Sequence, residues 1–479
     1  MTITRRNFCE QSLLAIAAAA AGQGDWTVAG TREGSANPVV DRSANSEIGH
    51  AIIGCRIRGK AHAEAFAKIP GVVITHVCDP DRQLAEDLAN AIETTTGRRP
   101  TVEIDLRRVF ESQDVQTLSI CTPNHWHALA TIWALDAGKD VYVEKPLSHT
   151  VDEGRRMVEA VARTGRICQV GTQNRSHTGI RAARDFVQKG GLGQVTMART
   201  IVYGRRPSIG ELGNYAIPAH VDYNLWLGPA RDEPLSRPQL HYDWHWVWNT
   251  GNGELGNNNI HYVDLVRWVI GLQGPGDDVF SVGGRFGYRD AGETPNTQMV
   301  VHRFGALPVV QEVRGLPTGP FSNQVRDGWI VSGTEGFVSG TSWFDPTGQL
   351  VQTFPGSLEN HFENFMTCVR QNTPNQLAAP VSEGHQSTAL CHFGNISHRT
   401  GQTTNTVEIK RRLQEWKMPE DVPATFERIG QHLTDNQVDL EATPLTLGPL
   451  LSLTPEGRFV DHWEANRLLS RTCRAPFEL

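Results

Sequence analysis

The stretch VYVEKPLSHT, residues 141–150, decides how the chain is read. Val141, Tyr142 and Val143 make a short apolar run of the kind that ends a buried strand. Two opposite charges, Glu144 and Lys145, then stand where such a strand leaves the core. Pro146 cannot extend the hydrogen-bond ladder and fixes the chain's exit. Ser148 or Thr150 offers a helix N-cap, and Glu153 stands three residues after Thr150, the spacing of a capping box. Open α/β sheets bind ligands at the carboxyl ends of their strands. A partly desolvated lysine there, close to a carboxylate, has its pKa moved toward working pH and can serve as acid or base. An arbitrary Glu-Lys is more simply a surface ion pair. Behind a dinucleotide-type half, the functional reading prevails.

That half lies upstream. A strand over 50–54 enters the turn Gly54-Cys55-Arg56-Ile57-Arg58-Gly59, followed by a helix over 60–69 and a strand over 72–79. Gly54 and Gly59 match the first and third glycines of G-x-G-x-x-G. Arg56 takes the second position, where the absence of a side chain normally lets backbone approach a pyrophosphate. Arg56 or Arg58 can meet phosphate by charge, helped by the positive end of the helix. Equally, Arg56 can weaken or alter cofactor binding. The separation from Gly54 to Asp79 is close to the ~20 residues expected of the carboxylate that accepts from the adenine ribose. Asp79 would repel a 2′-phosphate, which favours NAD over NADP. A helix over 81–96, a strand over 101–104, a helix over 106–111 and a strand over 115–122 follow. A helix over 127–137 leads to the opening stretch; a helix over 151–164 and a strand over 166–173 then close a doubly wound, Rossmann-type domain spanning 49–173.

VEKPLSHT together with CTPNHWHA, residues 121–128, resembles the Gfo/Idh/MocA family of nicotinamide-dependent sugar oxidoreductases, over roughly residues 49–475. The resemblance implies NAD as cofactor. It places Thr122, Pro123, Asn124 and His127, with Glu144 and Lys145, around the nicotinamide and its ribose, and adds Gln173 to that set. It also implies Trp126 and Arg175 as substrate residues. A metal site at His125 and His127 is disfavoured, since no carboxylate or third histidine lies at ligand spacing.

After an amphipathic helix over 177–192, a strand over 195–203 opens a second domain, assigned to 174–400. Short alternating segments such as 299–304 and 309–313 predict a large open, mostly antiparallel sheet in an α+β domain. In the family such a sheet serves substrate binding and assembly, which implies a homo-oligomer. Helices near 358–371 and 383–400 follow, and 401–479 reads as a C-terminal arm. In the segment 242–248, strand-like alternation puts Trp244, Trp246 and Trp248 on one side. Trp244 and Trp246 suit the C–H faces of a sugar, and equally suit a core. A glycine-rich loop (Gly251, Gly253, Gly256) precedes Asn257 and His261, one helical turn apart on a shared face, with Asp264 a turn further. By resemblance to the family's D-x-x-x-H pair, His261 is the catalytic histidine. Asn257 stands where many relatives have aspartate; it can bind a hydroxyl but cannot take its proton, so base duty falls to His261 and Lys145.

The chain of 479 residues has room for two or three domains, and its net charge of −7 gives no nucleic-acid surface. No apolar run reaches the ~20 residues of a membrane span. Thr4-Arg5-Arg6-Asn7-Phe8 resembles a twin-arginine export signal, followed by the apolar 13–21 and small residues suited to cleavage between 20 and 30. Cys9 and Glu10 depart from the usual apolar residue and lysine. Residues 1–30 are read as signal and 31–48 as linker, which makes the protein periplasmic or otherwise exported. The eight cysteines are scattered singly, and losing Cys9 leaves an odd number, which argues against a disulfide framework. Three functions compete: oxidation of a ring hydroxyl of a sugar or glycoside; a glycosidase using transient oxidation and elimination; and a sugar-binding pseudoenzyme, motivated by Arg56.

Overall fold

The computed structural model describes residues 47–479. The signal expected over 1–30 and all but the last two residues of the linker expected over 31–48 lie outside the described residues.

The first sheet is parallel, with strands β1 (Ile48–Ile53), β2 (Val72–Cys78), β3 (Thr101–Glu103), β4 (Thr117–Ile120), β5 (Asp140–Val143) and β6 (Cys168–Val170) in the order β3-β2-β1-β4-β5-β6. The order reverses between β1 and β4, the switch point at which such sheets bind ligands. Side chains alternate across it. Ile53, Ile120, Val141 and Val143 face one core, while Ile48, Ile52 and Tyr142 face the other, so the strands read as apolar runs. The connecting helices are α1 (Ile57–Phe66), α2 (Arg82–Thr96), α3 (Leu106–Glu111), α4 (Asn124–Asp136) and α5 (Val151–Thr164). The capping box at Thr150 forms, with the Glu153 carboxylate accepting from the Thr150 N–H. Helix α1 starts three residues before its expected first residue, and α4 likewise, because both begin inside the loops that carry the motifs.

The second sheet has eleven strands in the order β14-β13-β12-β11-β7-β10-β9-β8-β16-β15, with β17 on β8. The strands are β7 (Val195–Val202), β8 (Asp278–Gly284), β9 (Thr297–Phe304), β10 (Leu307–Arg314), β11 (Gly328–Gly333), β12 (Gly336–Ser339), β13 (Ser342–Phe344), β14 (Leu350–Thr353), β15 (Gln402–Thr404), β16 (Leu445–Leu447) and β17 (Leu451–Ser452). All neighbours are antiparallel except β7 and β10. On β9, Met299 and Val301 face one side and Val300 the other. Helices α6 (Thr178–Gln188) and α8 (Ile260–Ile270) pack on the second side, and the short α7 (Tyr223–Leu227) lies between them in the chain.

Two boundaries differ from expectation. The segment 401–479 is no separate arm. It contributes β15, β16 and β17 to the sheet, and its helices Thr406–Glu415 and Asp421–Asp435 cover the sheet face presenting Met299 and Val301. The helix His361–Gln371 buries Phe365, Met366 and Val369 in the core of the first sheet, and Phe477 joins its opposite core. Burying one such phenylalanine contributes roughly 1.5–3 kcal/mol, so the nucleotide domain is completed by residues far along the chain.

Candidate active site

The loops leaving β1, β2, β4 and β5 line one cleft. Gly54 has φ +91°, and a Cβ there would lie 2.7 Å from the Cys121 carbonyl. At Gly59 a Cβ would lie 2.0 Å from the Gly54 oxygen. Both positions therefore require glycine. Arg56 is the N-cap of α1, and no side chain caps that helix, so its first-turn N–H groups are open to an anion in the cleft. The partly exposed Arg56 lines the cleft, and its guanidinium makes no hydrogen bond or ion pair with other described residues. Asp79, also in the wall, accepts from the N–H groups of Cys55 (2.8 Å) and Asp81 (2.9 Å). Burial pushes its pKa up to about 6 despite those bonds. Two lone pairs remain for hydroxyl donors. The Thr122 hydroxyl is buried with no partner. Glycine turn, uncapped helix, acid after β2 and orphaned hydroxyl together fit a dinucleotide.

Glu144 is fully engaged. Its Oε1 accepts from Arg58 (2.5 and 3.0 Å) and lies 2.9 Å from His62 Nε2. Burial would raise its pKa, but these partners hold it well below the usual carboxylate range. Arg58, expected at the pyrophosphate, is thus committed to Glu144, which leaves Arg56 as the arginine of the turn with a free guanidinium. The His127 ring lies 2.6 Å from the Pro146 carbonyl and 2.9 Å from that of Thr122, tying the two motif loops together. Asn124 donates to Asn252 (2.9 Å). Pro123 also lines the cleft.

Lys145 Nζ donates to the main-chain carbonyl of Asn257 at 2.7 Å. Burial lowers its pKa, against the opposing pull of Glu144. A π-helical turn, Leu255–Asn259, precedes α8. Such turns cluster at functional sites. It breaks the simple one-turn stacking of Asn257 on His261: Asn257 lines the cleft, whereas His261 is not among the residues that line it. His261 Nδ1 is buried and without a partner, and burial followed by the charge of Lys145 lowers its pKa to about 3. The ring is neutral and unprotonated on at least one nitrogen. Asp264 points elsewhere, to Arg175 and Ser387.

The remaining expected residues separate. Trp244 and Trp246 lie on a 3-10 turn, Asp243–Trp246, and not on an extended segment, so they do not share a side. Trp244 lines the cleft, stacked on His245 with centroids 3.6 Å apart. Trp246 is buried beneath Arg206. Trp126 lines the cleft edge and donates to the Trp226 carbonyl (3.1 Å). Arg175 is only 3% exposed and paired with Asp264 and Glu383, away from the cleft. Gln173, on the turn Gln173–Ser176, has a buried unpartnered Oε1 but does not line the cleft.

Sequence reasoning missed three features. His245 and Tyr242 line the cleft, and the half-buried Arg206, paired with the buried Glu254 (2.8 Å), acts with it electrostatically on Lys145. The segment 204–250 also crosses the chain just beyond Asp79. The Arg82 N–H donates to the His220 carbonyl, the Asp222 N–H to the Pro80 carbonyl, and His241 Nε2 meets Asp81 at 2.8 Å. The sole signal for that crossing was a long stretch without clear periodicity.

Among the described residues no cluster of side chains could hold a metal ion, and no helix is long and apolar enough to cross a membrane.

Residues 48–172 match the model of the Gfo/Idh/MocA oxidoreductase family's NAD-binding Rossmann fold, and 204–282 match that of its C-terminal α/β domain. The chain is 27% identical to a levoglucosan dehydrogenase of Pseudarthrobacter phenanthrenivorans over 46% of its own length and 50% of the relative's. It is 34% identical to a glycosyl hydrolase family 109 protein of Saccharopolyspora erythraea over 52% of each. It thus spans about half the length of these curated relatives. Its fold is similar to that of the WlbA dehydrogenase from Bordetella pertussis, solved with NADH and UDP-GlcNAcA, at 20% identity and TM-score 0.55 over 72% of this chain and 95% of that one. Two stretches of the chain thus match the models of the Gfo/Idh/MocA oxidoreductase family, one of its NAD-binding Rossmann fold and one of its C-terminal α/β domain.

Proposed function

We propose that the protein oxidises a ring secondary hydroxyl of a sugar or glycoside, with NAD held in the cleft. The observation that carries the reading is Lys145: its ammonium is placed in the cleft by the Asn257 carbonyl, and burial lowers its pKa. NAD, when bound, supplies hydride acceptance. Gly54, Gly59 and the first turn of α1 hold its pyrophosphate, with Arg56 adding charge, and Asp79 accepts from the adenine ribose. Trp244 offers a flat face for the sugar ring. Lys145, once neutral, takes the hydroxyl proton, and the neutral His261 behind it is the second acceptor. The relatives named above, a levoglucosan dehydrogenase and a dehydrogenase solved with a nucleotide sugar, support a carbohydrate substrate. The test is a panel of sugars and glycosides assayed with purified protein. Oxidation that is lost in Lys145→Ala supports the reading; a panel oxidised equally well by that variant overturns it.

A second reading has its own support in the family 109 glycosyl hydrolase relative. Transient oxidation beside a glycosidic bond acidifies the neighbouring C–H, so the glycosidic group can leave by elimination; water then adds, and return of the hydride restores the hydroxyl. Release of aglycone without net oxidation separates this reading from the first.

Residues 1–30 are proposed as an export signal, so that the folded protein works outside the cytoplasm. The open second sheet is proposed as the assembly face of a homo-oligomer.

A further inference from the structure

A second cavity lies behind the EKP loop and differs in character from the cleft. It is lined by five arginines, with no carboxylate among its lining residues. His149 stands in its wall at 9% exposure, with both ring nitrogens buried and without a hydrogen-bond partner. Burial and then the charge of Arg471 hold that ring neutral. A neutral imidazole carries one N–H, so one donor in the cavity wall is unmet. The Arg471 Nη1 is likewise buried and unpartnered, although its Nε binds Glu153 at 2.6 Å. The Arg399 guanidinium lies over the Trp248 ring at 5.1 Å and makes no hydrogen bond or ion pair with other described residues. Unmet buried donors cost free energy unless a ligand or solvent meets them. Both belong to residues that line this cavity, where Arg231 and Arg471 are paired with Glu233 and Glu153 while the Arg399 guanidinium has no ion-pair partner among the described residues.

We infer that this cavity binds a tetrahedral oxyanion, a phosphate or sulfate group, with His149, Arg399 and Arg471 as its donors. Arg399, planar and preorganised on an aromatic face, suits two-point contact with such a group. The site goes beyond the proposed redox chemistry and does not depend on it. It is separated from the cleft by a thin wall: Asn252 donates to the His149 carbonyl at 3.0 Å and accepts from Asn124, which lines the cleft. The oxyanion can come free or as an ester on a larger molecule, and binding measurements distinguish the two.

The experiment uses NAD-saturated protein, so that the first turn of α1 is already occupied. Calorimetric titration with inorganic phosphate and sulfate is compared with chloride at equal ionic strength, and with a hexose phosphate. Saturable binding of phosphate or sulfate, weakened about 10-fold or more in Arg399→Ala, is the expected result. Arg399 sits at the exposed end of its helix, so the variant should fold; His149→Phe, which removes the ring donor while keeping a flat side chain, gives an independent second reading. Tenfold tighter binding of the hexose phosphate identifies an ester as the ligand, and equal binding identifies the free ion. Heat no greater than that of chloride, or binding unchanged in both variants, overturns the site.

Discussion

Lys145 and Asp79 are both ionisable groups taken out of water, and burial acts on them in opposite directions. The lysine loses affinity for its proton and the aspartate gains it. Each shift has a readable consequence. If Lys145 takes the substrate proton, Lys145→Ala should lower turnover by about 10²-fold or more, and His261→Ala should also impair it, with circular dichroism unchanged. Wild-type turnover should rise with pH through a group titrating below the ordinary lysine value of about 10.4. Near-normal turnover in folded Lys145→Ala would sink the assignment. Asp79 must be ionised to accept from two ribose hydroxyls, so NAD affinity should be full above pH 6 and fall as pH drops through about 6. The sign for stability is the reverse of a salt-bridged acid. A folded pKa above the unfolded one means the native state holds more protons, so this group's contribution declines as pH rises from about 4 to 6. Asp79→Ala should weaken NAD more than NADP, measured by fluorescence titration. Wild-type preference for NADP would refute the reading of β2.

At the scale of elements, the parts that the sequence made legible are those with local causes. Helix α5 begins and ends where Thr150, Glu153 and Gly165 place it, because caps act within a few residues. The apolar runs of β1, β4 and β5 announce strands buried on both faces. The parts that stayed hidden depend on long-range contacts or unusual hydrogen bonding. No local pattern marks the π turn Leu255–Asn259, which puts Asn257 in the cleft and leaves His261 out of its lining. Nor does one reveal that Arg58 would prefer Glu144 to a phosphate, or that Arg175 would pair with Asp264. The crossing of 204–250 over Pro80, Asp81 and Arg82 is of the same kind, and it carries a prediction. That crossing closes the chain beyond Asp79, where the adenosine would lie, and His241 fastens it to Asp81. His241→Ala should speed NAD release about 10-fold, read by stopped-flow displacement, while leaving the preference for NAD over NADP intact, since Asp79 is untouched. An unchanged release rate would mean that the crossing does not gate the cofactor. The glycines make a sterner test of the turn. Gly59→Ala forces a Cβ to 2.0 Å from a backbone oxygen that cannot swing aside, so the variant should lose about 1–3 kcal/mol or more in chemical denaturation.

For the whole molecule, the proposed export and the proposed chemistry constrain one another. Free NAD is not expected to be recycled outside the cytoplasm, so an exported nicotinamide enzyme has difficulty replacing spent cofactor. A protein that folds before crossing can carry its cofactor with it, and the crossing of 204–250 over the nucleotide domain is suited to keeping it there. The consistent solution is a tightly held NAD that leaves each cycle in the state in which it entered. Two chemistries satisfy that condition: transient oxidation of one glycoside, or paired oxidation and reduction of two sugars. A dehydrogenase that releases NADH does not. The decisive assay supplies candidate glycosides to purified protein without added nucleotide, and follows product together with the absorbance of reduced nicotinamide. The expected outcome is sustained turnover, many product molecules per protein, with no net rise in that absorbance. Denaturing the same preparation should then release NAD in near-stoichiometric amount. Activity that needs stoichiometric added NAD and accumulates free NADH would rule out the closed cycle and leave an ordinary sugar dehydrogenase.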